Sequence, residues 1–242
     1  MGIRSAVIDT ANNAAYFGTS TSPGRVVKVD LATFTRVGHW TLDTGDNNLT
    51  SAVIDTANGF AYFGTNTSPG RVVKVNLATF EAVATITLPD GENFLTSAVI
   101  DTVNGFAYFG TDTSPGRVVK VDVNPSRTFA RQGGITLATG ENKLASAVID
   151  MANNRAYFGT LTSPGRVIRV NINPSEAFAA AGTHPVSRNR LSSAVIDPNS
   201  GRAYFGTRTV RCVPGSKTRR LSTSSPKRSM RTGSGRLGGQ MS

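Results

Sequence analysis

Four arginines, Arg25, Arg71, Arg117 and Arg166, recur at near-constant spacing, each directly after a Ser-Pro-Gly triplet. Guanidinium groups repeated once per structural unit can grip phosphate or carboxylate groups through paired N–H donors. They can equally start a strand, solvated or paired with an aspartate, because repeats copy structural residues as readily as functional ones. Five aspartates, Asp9, Asp55, Asp101, Asp150 and Asp197, recur in the same way. A ring of carboxylates could hold a cation. Each, however, begins a turn rich in asparagine, where an aspartate side chain satisfies backbone N–H groups. The segments such as Asp43-Thr44-Gly45-Asp46-Asn47-Asn48 lack the alternating aspartates of a calcium loop.

Acid–base and nucleophilic chemistry is thinly represented. The two histidines, His39 and His184, both align with the fourth apolar segment of their repeats, far apart in the chain. No Gly-x-Ser-x-Gly elbow or phosphate loop occurs. Cys212 is the single cysteine, so no internal disulfide can form. The residues expected to bind a ligand are therefore the four arginines. No catalytic residue, metal or cofactor is assigned.

The elements that position these groups follow from an internal repeat of about 46 residues. Ser-Ala-Val-Ile-Asp begins at Ser5, Ser51, Ser97, Ser146 and Ser193, and Ala-Tyr-Phe-Gly-Thr follows each copy. In the second unit Ser51–Asp55, Phe60–Thr65, Arg71–Asn76 and Ala82–Leu88 are rich in β-branched and aromatic residues. Asp55–Gly59, Ser68-Pro69-Gly70 and Leu77–Phe80 supply turns between them. Four antiparallel strands at this period predict the blade of a β-propeller. The apolar runs Ala52-Val53-Ile54 and Ala61-Tyr62-Phe63 predict strands buried on both faces, because blades pack on either side. No segment shows a sustained helical period. The fold class expected is all-β: four complete blades and half of a fifth, in an incomplete or open ring.

The order Ala-Val-Ile-Asp, turn, Gly-Phe-Ala-Tyr-Phe-Gly-Thr, then Val-Val-Lys-Val-Asn resembles the YVTN-type β-propeller repeat over residues 5 to about 206. Tyr62-Phe63-Gly64-Thr65 and Val73-Lys74-Val75-Asn76 fill the places of its two signature strands, with Asn76 and Asn171 where that family prefers aspartate. The resemblance implies a propeller. It also implies a secreted, periplasmic or cell-surface setting, although residues 1–5 carry no signal-peptide core. Members of that family are mostly of unclear role, and at least one is described as DNA-binding.

Residues 1–207 thus read as propeller repeats and residues 208–242 as a separate basic tail. The whole chain carries a formal charge of +11. The tail holds nine lysines and arginines and no acid, so it accounts for most of that charge. Its Ser, Gly and Arg content predicts disorder. Pro214-Gly215 and Leu221-Ser222-Thr223 keep traces of the repeat, as a reading-frame slip near Thr207 would leave. An open arc exposes two apolar blade faces. A fragment of a longer product, closure by a second chain or a small tight ring would each resolve this, and the fragment is placed first. No apolar run reaches the roughly 20 residues that span a bilayer, so no membrane insertion is expected.

Near-identical blades favour binding over catalysis. The function expected is a non-enzymatic scaffold for a protein or glycan partner. Nucleic-acid or polyanion binding through the tail and the arginines comes second, and a propeller lyase or lactonase third.

Overall fold

The computed structural model describes residues 2–208; the basic tail beyond Arg208 lies outside them. Five antiparallel sheets follow one another in chain order. β1 (Ile3–Asp9), β2 (Ala14–Thr19), β3 (Arg25–Asp30) and β4 (Thr35–Thr41) form blade 1. β5 (Leu49–Asp55), β6 (Phe60–Thr65), β7 (Arg71–Asn76) and β8 (Glu81–Thr87) form blade 2. β9 (Leu95–Asp101), β10 (Phe106–Thr111), β11 (Arg117–Asp122) and β12 (Ala130–Thr136) form blade 3. β13 (Leu144–Asp150), β14 (Arg155–Thr160), β15 (Arg166–Asn171) and β16 (Ala179–Pro185) form blade 4. β17 (Leu191–Asp197) and β18 (Arg202–Thr207) make the two-stranded blade 5. No helix occurs among the described residues. The described residues form an open arc of a β-propeller, as the repeat predicts.

Local chemistry sets the blade. In the first turn of blade 2, Asp55 Oδ1 accepts the Asn58 backbone N–H at 3.1 Å and Oδ2 accepts Asn58 Nδ2 at 2.7 Å. The same pair forms at Asp9–Asn12, Asp101–Asn104 and Asp150–Asn153. These four aspartates are therefore committed to the turns. Gly59 follows at φ +74°, a conformation that favours glycine, and Asn13 and Asn154 take the left-handed region at the same place.

Each first strand carries a register shift, between Leu49 and Ser51 in blade 2, where an extra residue bulges from the ladder. Blade 2 shows how burial divides. β6 is buried almost throughout, as the Ala61-Tyr62-Phe63 run predicts, and β7 is buried at its valines, but β5 alternates where the Ala52-Val53-Ile54 run predicts burial on both faces, and β8 is half exposed. The difference lies in position: Thr50 and Ala52 on β5 face a cavity at the axis, and β8 forms the rim.

The apolar core lies between blades rather than within them. One cluster joins Tyr16 and Val26 of blade 1 to Phe63, Val73 and Leu77 of blade 2. Equivalent clusters seal blade 2 to blade 3 and blade 3 to blade 4. Tyr62, Phe63, Tyr108 and Phe109 are wholly buried in this way. Each such side chain contributes roughly 1.5–3 kcal/mol of burial free energy, so blade contact supplies most of the driving force.

Candidate functional site

The loops after the second and fourth strands of each blade share one face, and backbone hydrogen bonds lock them together. Gly70 N–H donates to the Glu92 carbonyl, and Phe94 N–H donates to the Thr67 carbonyl. Gly24 with Asp46, and Gly116 with Glu141, repeat the first contact. Gly70 ends the Ser68-Pro69-Gly70 turn without taking a positive φ. Its role is close approach instead, because a β-carbon there would stand 2.3 Å from the Glu92 carbonyl oxygen.

The four predicted arginines open β3, β7, β11 and β15 on this face. Within the loop, Thr65 Oγ1 accepts the Arg71 backbone N–H at 2.9 Å, and its hydroxyl lies 2.6 Å from that of Thr67. Thr19, Thr111 and Thr160 hold Arg25, Arg117 and Arg166 in the same way. A serine–proline cis peptide lies within each of these loops. All four arginines are half-buried.

Three of these side chains, those of Arg71, Arg117 and Arg166, lie against the loops that enter their blades. A β-carbon on Gly45 would stand 2.7 Å from Arg71 Nη1, and Arg117 and Arg166 sit likewise over Gly91 and Gly140. Arg71 also reaches Asp46 at 3.4 Å. Arg25 has no counterpart loop among the described residues, and its Nε is buried there without a partner. The arginines therefore stand one per blade on a common face, each at its own junction. No contact joins one arginine to the next.

Sequence reasoning overlooked the acids of the entering loops. Asp46, Glu92 and Glu141 are buried and bind the outer strand of the blade they enter. Thr85 donates to Asp46 at 2.9 Å, and Thr183 donates to Glu141. Arg131 grips Glu92 with Nε at 2.7 Å and Nη2 at 2.5 Å. The entering loop of blade 5 carries Arg188 at this place, and no third or fourth strand of that blade is present among the described residues.

Two cavities bear on ligand binding. The axial one, about 300 Å³, is lined by serine, threonine and alanine from all five first strands. Its lining is neutral, and the Ser5, Ser51, Ser97 and Ser146 hydroxyls already donate to Leu49, Leu95, Leu144 and Leu191 carbonyls of the next blade. The second, about 370 Å³, opens on the loop face, where Arg166, Lys143, Asn142, Thr162 and Ser163 line it. Lys143 Nζ also lies 3.5 Å from Asp112. This pocket offers cationic and hydroxyl groups to an anionic or polyhydroxylated ligand.

No protein-family model matches the chain, and no curated protein matches it either. Among solved structures, the chain is similar to a functionally unknown protein from Desulfotomaculum acetoxidans, with a TM-score of 0.69 at 12% identity. The match covers 85% of this chain and 62% of that one. At that identity the likeness speaks for the fold alone.

His39 and His184 lie exposed on the outer strands β4 and β16 of different blades. Among the described residues no cluster of His, Cys, Asp or Glu is arranged to hold a metal ion.

Proposed function

We propose that the chain is a non-enzymatic interaction scaffold whose loop face binds a protein or glycan partner, with a polymeric glycan the better fit. The observation that carries this reading is the repetition of one loop, Thr-Ser-Pro-Gly-Arg, at four successive blades on one face. Equal groups set at equal intervals suit a ligand that itself repeats, because each further contact becomes intramolecular once the first has formed. The pocket beside Arg166 and Lys143 supplies a groove of the right chemistry for sugar hydroxyls and carboxylates. Resemblance to the YVTN-type repeat supports a surface or periplasmic setting.

Interferometry on the immobilised chain, with heparin, alginate and dextran of graded length as probes, tests this. Affinity should rise steeply with chain length for at least one polysaccharide and fall at least tenfold in the R117Q/R166Q variant. Equal responses to monomer and polymer, or no response to any, would sink the reading.

Polyanion binding is the second reading, favoured by Arg188, Arg190 and Arg208 gathering near the fourth junction, where Arg208 N–H donates to the Arg190 carbonyl. It calls for a steep loss of single-stranded DNA affinity with rising salt. The tail that would add to it lies outside the described residues.

A further inference from the structure

The interior junctions share one set of contacts, and the set is polar in direction. The earlier blade supplies a serine hydroxyl to a carbonyl of the later blade, at 2.8–2.9 Å in all four cases. It also supplies a tyrosine whose ring meets a phenylalanine of the later blade. Tyr16–Phe80, Tyr62–Phe129 and Tyr108–Phe178 lie 5.9, 5.7 and 5.6 Å apart between ring centroids. Tyr16 and Tyr62 donate onward to the Leu77 and Val123 carbonyls. Val53 and Val99 point forward into the next junction, while Ile54 and Ile100 point back into the previous one.

The two end faces of the arc carry the two halves of this set, unpaired. On blade 1, Ile3, Ile8, Leu31 and Phe34 occupy the places of Leu49, Ile54, Leu77 and Phe80. They are 61%, 53%, 37% and 85% exposed. On blade 5, Ser193, Val195 and Tyr204 occupy the places of Ser51, Val53 and Tyr62, and Val195 and Tyr204 are 61% and 55% exposed. Six of the nine most exposed large apolar side chains among the described residues thus belong to a split junction. Blade 5 is only two strands wide: the serine, valine and tyrosine of the donor half come from its first and second strands, while the places of Val72 on the third strand and Leu88 after the fourth, which also join that junction, lie outside the described residues.

We propose that these faces are complementary binding surfaces, and that blade 1 of one copy of the chain seats head to tail on blade 5 of a second copy. A face-to-same-face dimer would set Phe34 against Phe34 with no tyrosine opposite, so the contact is heterologous. Such a contact closes into a ring or runs on as a chain. The interface remakes Ser193 onto Ile3, Tyr204 onto Leu31 and Phe34, and Val195 against the aliphatic side chains of blade 1.

Sedimentation velocity on the chain of residues 1–242 tests the contact through two variants, F34E and Y204E. Both residues are exposed, and circular dichroism checks that each variant keeps its sheet. The wild type should gain mass with concentration, and each variant alone should sediment as a monomer. An equimolar mixture should give a 1:1 dimer and nothing larger, because one variant keeps a sound blade 5 and the other a sound blade 1. A wild type that stays monomeric at every concentration, because residues 209–242 or nothing at all covers the faces, overturns the proposal. So do variants that associate as the wild type does, or a mixture that stays monomeric.

Discussion

The Tyr62 hydroxyl in blade 2 donates to the Val123 carbonyl of blade 3 at 3.1 Å, while the equivalent Tyr108 hydroxyl is buried with no partner among the described residues. Two tyrosines in matching places thus differ by one hydrogen bond. Y62F should lose about 1 kcal/mol, the usual net worth of such a bond. Y108F removes a desolvated, unmatched hydroxyl and should be neutral or stabilising by up to about 1 kcal/mol. Urea melts of the two variants check this. Equal destabilisation would show that the two hydroxyls have equivalent surroundings.

Alkaline pH should weaken the same junctions. Burial holds the Tyr62 and Tyr108 hydroxyls well above their ordinary value of 10.0, with Asp55 adding to the effect at Tyr62 and Asp101 at Tyr108. The folded chain then keeps protons that the unfolded chain releases. Stability from this source is complete below pH 10 and falls as pH rises beyond it. Lys74, which burial holds below 10.5, acts in the opposite sense, but comparison with Y62F cancels it. Between about pH 9 and about pH 11 the wild type should lose more of its urea midpoint than Y62F does.

Gly70→Ala tests close approach on the loop face. The added carbon would lie 2.3 Å from the Glu92 carbonyl oxygen, and that atom is backbone, so the entering loop must move. Overpacking of this kind costs about 1–3 kcal/mol. The expected result is a loss in that range, together with faster exchange of the position-70 amide, whose N–H bonds the Glu92 carbonyl. A neutral outcome would mean that the loop yields freely.

The ion pairs made by Asp46 and Glu92 of the entering loops should differ in worth. Arg71 meets Asp46 at a single 3.4 Å contact. Arg131 grips Glu92 through two nitrogens, and Glu92 is buried. R71M should cost less than about 1 kcal/mol, because Asp46, though as buried as Glu92, keeps its 2.9 Å bond from Thr85 and loses only one long contact. R131M leaves a buried carboxylate without its partner and should cost about 2 kcal/mol, discounted for the exposure of the guanidinium. Thermal melts of the two variants and of R131M/E92Q, which should recover part of the loss, distinguish these outcomes.

The strands were legible because their evidence is local. Val72-Val73-Lys74-Val75 states a strand within four residues, and Asp55 and Asn58 state a turn within as few. The contacts between blades were not legible, because their partners stand far apart. Ser51 and Leu95 are 44 residues apart, and Tyr62 and Val123 are 61. Nothing near Ser51 says that its hydroxyl crosses to the next blade. A signal was nevertheless present: a serine recurs at the place of Ser51 in all five units with no turn there to demand it. The acids Asp46, Glu92 and Glu141 are harder to see, since Asp gives way to Glu after the first copy and Arg188 ends the series. The four arginines are legible from their spacing, but only the structure reveals that Arg71, Arg117 and Arg166 each lie against the loop entering their own blade.

The one-way polarity of the clasps bears on how such a chain changes over generations. Every complete unit brings one donor edge and one acceptor edge, so a duplicated or deleted unit leaves its neighbours matched. Blade number can then drift by unequal exchange within the coding repeat without any residue being redesigned. The near-identity of the units is what a lineage growing in this manner would carry.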